Sequence, residues 1–234
     1  MEDLTVQNAE LEAFDRTVAH DLQNPLALVV GFADLLQLDN NEISLEEQER
    51  ALKLLVQNAH RMSNIIQELL VLSSVRKKDV TLYPLQMEDI VRSAMDRLRF
   101  MLQKYNARVI LPKSWGCAYG YAPWVEEVWD NYISNALKYG GNPPVIELGS
   151  TKLADDRIKF WIRDNGRGIS QDQQKLLFTP FTKLSQVRAT GHGLGLSIVR
   201  RIVEKLGGEV QVESQPGEGS TFSFILAACT GADA

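Results

Sequence analysis

The chain has 234 residues, of which 44% are hydrophobic and 24% charged. At about 150 residues per domain that is one to two globular domains, and the composition is too apolar for a disordered chain. The 25 Lys and Arg against 30 Asp and Glu leave a net charge of −5, which excludes the broad basic field that recruits nucleic acid or an anionic membrane.

The first third reads as two long helices, about 3–38 and 44–76. In the first, Leu11, Phe14, Val18, Leu22, Leu26, Val29, Ala33 and Leu36 recur at spacings of three and four. In the second, Leu52, Leu55, Ala59, Met62, Ile66 and Leu69 alternate three and four strictly. Asp39-Asn40-Asn41-Glu42 is the polar break between them, and Ser44-Leu45-Glu46-Glu47 has the form of a capping box. The pattern is that of an antiparallel hairpin. Two helices hold too little core to stand alone, so the seam asks for a second hairpin and a homodimeric four-helix bundle. Packing of the seam on the rest of the same chain is the alternative. The apolar run Leu26 to Val30 is five residues long, far short of the roughly 20 that span a bilayer. No charged-then-apolar stretch at Met1 reads as a signal peptide. A cytoplasmic chain without membrane contact of its own is the expectation.

The first helix carries His20-Asp21-Leu22-Gln23-Asn24-Pro25. Asp21 lies about 100° around the helix from His20, and Asn24, one turn on, only about 40° away. Pro25 removes an amide and clashes with the carbonyl of Asp21, at a cost of about 3 kcal/mol from which a purely structural helix gains little. Imidazole is a nucleophile when one ring nitrogen is unprotonated, and an adjacent carboxylate can fix that tautomer. His60, near the second seam, lacks this context and is given no role.

Arg76-Lys77-Lys78-Asp79 closes the second helix with positive charge, as the macrodipole favours, and reads as a linker. Beyond it the pattern changes. Met87 to Leu102 reads as one amphipathic helix, Arg108 to Leu111 as a short strand stopped by Pro112, and Val125 to Tyr139 as a helix ended by Gly140-Gly141. Val145 to Leu153 and Arg157 to Asp164 read as paired strands. A polar, glycine-rich stretch from Asn165 to Gly193 precedes a helix over Leu194 to Leu206. Glu209 to Ser214 and Ser220 to Leu226 form a hairpin around Pro216-Gly217. The fold class is therefore α+β: a helical hairpin and then an α/β sandwich whose mixed sheet is covered on one face. The two cysteines, Cys117 and Cys229, stand outside any CxxC or Cys/His cluster. Two free thiols are expected, with neither disulfide nor zinc site.

Several residues of this second part suit phosphate chemistry. Asn131 and Asn135 share a helix face, with Lys138 one turn further. Amide oxygens are suitable magnesium ligands beside water and phosphate, and lysine supplies a point charge. Asp164-Asn165-Gly166-Arg167-Gly168 comes directly after a strand, and Gly191-His192-Gly193-Leu194-Gly195-Leu196 opens a helix whose free amides favour phosphate. No P-loop is present.

The order of these motifs, with Phe178-Thr179-Pro180-Phe181 between the last two, resembles the GHKL ATPase family over about residues 82–227. More narrowly it resembles the catalytic domain of bacterial histidine kinases. By that resemblance Asp164 accepts from the adenine amino group, and Gly166 and Gly168 shape its pocket. Asn135 is the main magnesium ligand with Asn131 in support, Lys138 contacts phosphate and Tyr139 packs near the nucleotide. Gly191, Gly193 and Gly195 wrap the phosphates. Residues 170–192 form the mobile ATP lid, in which Lys183 reaches the terminal phosphate. His192 is a variation at a position often held by a small residue.

The sequence from Phe14 to Pro25 is similar to the H-box of the same kinases, with Gln23 where many members carry Arg or Lys. The resemblance implies a sensor histidine kinase core: residues 1–78 as dimerisation and phosphotransfer hairpin, 82–228 as ATP-binding domain, and 76–82 as hinge. ATP with Mg2+ would phosphorylate His20, in cis or in trans, with Asp21 as activator. The phosphoryl group would then move to an aspartate on the receiver domain of a response regulator. Asn24 would position water for a phosphatase activity. A GHKL ATPase clamp and a catalytically silent nucleotide-binding scaffold remain the alternatives.

Overall fold

The computed structural model describes residues 2–37, 44–77, 79–178 and 195–229. The chain divides into two compact units, Met1–Ser73 and Ser74–Ala234.

The first unit holds helix α1 (Glu2–Leu36) and nearly all of α2 (Leu45–Lys77). The capping box forms: the Glu47 amide donates to Ser44 Oγ at 3.2 Å, and the Ser44 amide donates to Glu47 Oε2 at 2.9 Å. That exchange holds the Glu47 carboxyl below its usual range. The connection over 38–43, which would set the handedness of a hairpin, lies outside the described residues. The seam foreseen on α2 is split. Leu55, Met62 and Leu69 are half-buried, whereas Leu52, Ala59 and Ile66 are exposed. The buried stripe runs one residue earlier, through Ala51, Asn58 and Ile65. A step of one residue turns the stripe by about 100°, so two adjacent helix faces are apolar and one of them is covered.

The second unit is a five-stranded mixed sheet in the order β2-β4-β5-β7-β6, comprising β2 (Arg108–Ile110), β4 (Val145–Lys152), β5 (Arg157–Asp164), β6 (Glu209–Gln215) and β7 (Gly219–Ala227). Only β2 and β4 run parallel; the other pairings are antiparallel. A two-stranded ribbon pairs β1 (Tyr83–Pro84) with β3 (Tyr119–Gly120). The helices are α3 (Met87–Arg97), α4 (Arg99–Lys104), α5 (Ala122–Tyr139), the short α6 (Gln171–Gln174) and α7 (Gly195–Lys205).

The expected single helix from Met87 to Leu102 is interrupted at Leu98, whose ψ of 8° departs from the helical value. Next to it Arg97 reaches α5 with ion pairs to Glu126, Glu127 and Asp130, the last at 2.9 Å. Helix α5 begins three residues earlier than the pattern indicated, because Pro123 fits its first turn.

The core lies between the helices and one face of the sheet. Trp129, Tyr132, Ile133 and Leu137 of α5 meet a layer that includes Phe160 and Phe224, with Ile198, Val199, Ile202 and Val203 from α7 also buried. Ring centroids of Phe160 and Phe224 are 5.2 Å apart, and Trp129 stands edge-on to Phe224 at 5.4 Å. The strand sequences alternate accordingly, with Ile158, Phe160 and Ile162 inward and Lys159, Trp161 and Arg163 outward.

The expectation of two free thiols is overturned: Cys117 and Cys229 form a disulfide across 112 residues of sequence. Sheet topology brings them together. Ala118 bridges Ala228, and the Cys229 amide donates to the Cys117 carbonyl at 3.0 Å. Sequence spacing carries no trace of such a meeting.

Candidate functional site

Two constellations stand out, one in each unit. On α1, His20 is exposed, its side chain 69% accessible, whereas that of Asp21 is only 13% accessible. His20 Nδ1 lies 3.4 Å from Asp21 Oδ1. Asn24 Nδ2 lies 3.2 Å from His20 Nε2 and 3.5 Å from Nδ1. An ionised carboxylate only accepts, and an amide NH2 only donates. The approach of Asp21 suits a ring proton on Nδ1 facing the carboxylate; the Asn24 amide, near both ring nitrogens, lies over the ring and does not fix the tautomer. Pro25 sits inside the helix and is buried.

In the second unit the motifs converge through close backbone approaches. Gly195, the first residue of α7, comes so near α5 that a Cβ there would lie 2.2 Å from Asn131 Oδ1. Gly166 is pressed against the end of α5: a Cβ would lie 2.4 Å from the Tyr139 carbonyl. The Asn-bearing helix, the DxGxG turn and the end of the glycine-rich segment therefore surround one region, and two of the glycines are required for that approach.

Asn131, Asn135 and Lys138 lie half-buried on α5, and Tyr139 is exposed at its end. Asn131 Nδ2 donates back to the Glu127 carbonyl at 2.9 Å, which leaves Oδ1 toward Gly195. Asp164, at the end of β5, is 8% exposed, and its Oδ1 accepts from the Gly166 amide at 2.7 Å. Burial raises the Asp164 carboxyl above its usual range, against the opposing bonds from the Gly166 and Ser220 amides. Gly168 adopts a φ of +69°. Lys183, Gly191, His192 and Gly193, and most of the expected lid over 170–192, lie outside the described residues.

Sequence reasoning missed Asn165. Its Oδ1 accepts from the amides of Gly141 at 3.0 Å and Val145 at 2.8 Å, and its Nδ2 donates to the Pro143 carbonyl at 3.2 Å. One side chain thus ties the loop after α5 to the DxGxG turn. The signal available was a short polar residue between Asp164 and Gly166, which reads as turn chemistry.

The residues present fit an adenine nucleotide with magnesium. A buried carboxyl stands beside Gly166, Asn131 beside Gly195, and Asn135 and Lys138 lie one and two turns further along the same helix. Among the described residues no group of three or more His, Cys, Asp or Glu could hold a metal ion by itself. Magnesium would take oxygens from phosphate and water besides an amide, its usual habit at nucleotide sites.

Comparison with known proteins points the same way. Residues 120–229 match the family of histidine kinase-, DNA gyrase B- and HSP90-like ATPases, and residues 10–78 match the His Kinase A phospho-acceptor domain. A phospho-acceptor helical region joined to an ATPase-type domain defines the class. The sensor histidine kinase YcbM of Bacillus subtilis is 30% identical over 217 residues, covering 89% of this chain and 69% of YcbM. The chain belongs to the sensor histidine kinase family. The methanogenesis regulatory histidine kinase FilI of Methanothrix harundinacea is 30% identical across 96% of this chain, which spans only 25% of FilI. Among solved structures, histidine kinase ThkA in complex with response regulator protein TrrA superposes with a TM-score of 0.75 at 19% identity, over 96% of this chain and 64% of that one. No helix among the described residues is long and apolar enough to cross a membrane.

Proposed function

We propose that the chain is the phosphotransfer core of a sensor histidine kinase, with ATP as phosphoryl donor and His20 as acceptor. The observation that carries this reading is the His20 arrangement, an exposed imidazole whose Nδ1 faces the Asp21 carboxylate, the tautomer that leaves Nε2 to act as nucleophile. Nε2 attacks the γ-phosphorus, an N–P bond forms as the β–γ bridging P–O bond breaks, and ADP leaves. The positive charge that develops on the ring is balanced by Asp21 through Nδ1–H. Transfer of this kind depends on positioning and charge neutralisation more than on covalent chemistry.

On the donor side Asp164 receives the adenine amino group, and Gly166 and Gly168 admit the ring. Tyr139 packs beside the nucleotide, Lys138 meets phosphate, and Gly195 lets the N-terminus of α7 approach the phosphates, a role the family resemblance extends to Gly191, Gly193 and Lys183. Asn135 would ligate magnesium with Asn131 in support, and the ion would screen the phosphate charge. The phosphoryl group then passes to an aspartate on a response regulator receiver domain. Asn24, beside Nε2, orients water for the reverse loss of phosphate from that partner. The apolar face left open on α2 supports a homodimer, with residues 1–78 and 82–228 as the two functional domains.

Incubation with γ-labelled ATP and magnesium, beside a His20→Gln variant, tests the reading. Label on wild type alone, lost in acid and kept in base, is the expected result. ATP turnover without self-labelling would indicate an ATPase clamp, and binding without either would indicate a silent scaffold. For the phosphatase step, Asn24→Ala should slow dephosphorylation of the phosphorylated regulator, and an unchanged rate removes that role.

A further inference from the structure

The DxGxG turn does not stand free; it is pressed against the turn between β6 and β7. A Cβ on Gly168 would lie 1.9 Å from the Gln215 carbonyl, and one on Gly219 would lie 2.0 Å from the Asp164 carbonyl. The Gly217 amide donates to the Arg167 carbonyl at 2.7 Å. The β6–β7 turn therefore fixes Gly168 directly and Gly166 through its neighbours Asp164 and Arg167.

Two side chains hold that arrangement from outside the motifs. Ser214, at the end of β6, accepts from the Ile169 amide at 2.9 Å through Oγ and donates the same hydroxyl to the Gly219 carbonyl at 2.7 Å. Gln174, the last residue of α6, uses both hydrogens of Nε2: one bond reaches the Ile169 carbonyl and the other the Ser214 carbonyl, each 2.8 Å long. Both groups are part-buried, so neither carbonyl can exchange its partner for water without loss. An amide NH2 is the neutral group that can donate to two carbonyls at once. Ile169 is thus held through its amide by Ser214 and through its carbonyl by Gln174.

We infer that Gln174 and Ser214 are positioning residues for nucleotide binding: they brace the residues just past Gly168 against the β6–β7 turn and so set the shape of the adenine pocket. The inference rests on the ATP-binding reading above. Neither residue touches nucleotide; each acts through the backbone of Ile169 and, by its position, on Gly168 and Gly166. The effect should fall on affinity, because the acceptor His20 and its activator Asp21 are in the other unit of the chain and untouched.

The test is titration of wild type, Gln174→Leu, Gln174→Glu and Ser214→Ala with a fluorescent trinitrophenyl derivative of ATP. Autophosphorylation kinetics and Tm without nucleotide are measured on the same chains. Gln174→Leu loses two hydrogen bonds and should weaken Kd about tenfold, KM rising in step while kcat at saturating ATP stays within about twofold of wild type. Gln174→Glu should weaken binding further, because its carboxylate faces two carbonyls with no donor. Unchanged Kd in both Gln174 variants overturns the inference and leaves the kinase reading intact. A loss of Tm and kcat together, at unchanged Kd, also overturns it, since that is the mark of a merely structural residue. Failure of wild type to bind the probe or ATP would sink the kinase reading and this inference together.

Discussion

The two units bury apolar surface to different degrees. In the sheet unit Trp129, Tyr132, Phe160 and Phe224 are at most 1% exposed. In the helical unit Leu26, Leu52, Val56, Ile66 and Leu70 remain 45–57% exposed. One unit completes its core within a single chain. The other keeps one apolar face covered and an adjacent one open, the pattern of a half-bundle that a second copy completes. The difference matches the chemistry assigned to each: the nucleotide unit can act as a self-contained body, whereas the phospho-acceptor helix belongs to a bundle.

The sharpest way to break this contrast is to charge the open face. If the open face forms the proposed dimer, Ile66→Glu combined with Leu70→Glu should leave only monomer in sedimentation velocity where wild type is dimeric, with ATP-analogue affinity unchanged. A persistent dimer would mean that the open face is not the interface. Inside the sheet unit the reverse holds. Phe160→Ala should cost about 3–5 kcal/mol in chemical denaturation and leave the association state alone.

The disulfide sharpens the comparison further, since it staples only the self-sufficient unit. Loop-closure entropy for a loop of about 100 residues is worth up to about 4.7 kcal/mol, and native disulfides typically contribute about 2–5 kcal/mol. Cys117→Ser should therefore lower the Tm of the sheet unit and spare the helical one, as read by hydrogen exchange.

The smallest effect concerns Asp130. Burial, reinforced by Glu127 and Glu126, pushes its carboxyl up to about 7 in spite of Arg97, because three carboxylates share that one guanidinium. Its Oδ1 is buried without a hydrogen-bond partner. The folded chain therefore holds a proton that the unfolded chain releases at an ordinary carboxylate pKa near 3.9. Stability from this group is full below that value and falls as pH rises through it to about 7. Asp130→Asn cannot ionise, so the Tm difference between variant and wild type should grow in the variant's favour from about pH 5 to 7. A difference independent of pH would exclude this titration.

Much of the proposed site was legible because its signals are local. Asn131, Asn135 and Lys138 are readable from helix periodicity and Asp164 to Gly168 from a strand running into glycines, whereas Tyr139 entered only through the family resemblance. The His20-Asp21-Asn24 cluster is fixed by helical angle, and the structure places Asn24 on His20 as that angle requires. Asn165, Gln174 and Ser214 were not legible. Each is a common polar residue whose meaning lies in a carbonyl or amide supplied by another element, and one sequence does not say which carbonyl that will be. The split seam on α2 has the same cause: spacing marks two apolar faces, but which is covered depends on the element that packs there.

By itself, then, the sequence determined the features that arise between i and i+4 or along one strand. The Ser44–Glu47 cap, the helices, the alternation in β5 and the chain order of the motifs all come from interactions within a few residues. Only the tertiary structure decided the parallel pairing of β2 with β4, the meeting of Cys117 with Cys229, the approach of Gly195 to Asn131 and the bracing of Ile169. These contacts join elements distant in sequence or act through shared backbone groups, and their geometry exists only once the sheet order is set. Local propensity carries no information about that order, because it is fixed by burying one face of the whole sheet beneath α5 and α7.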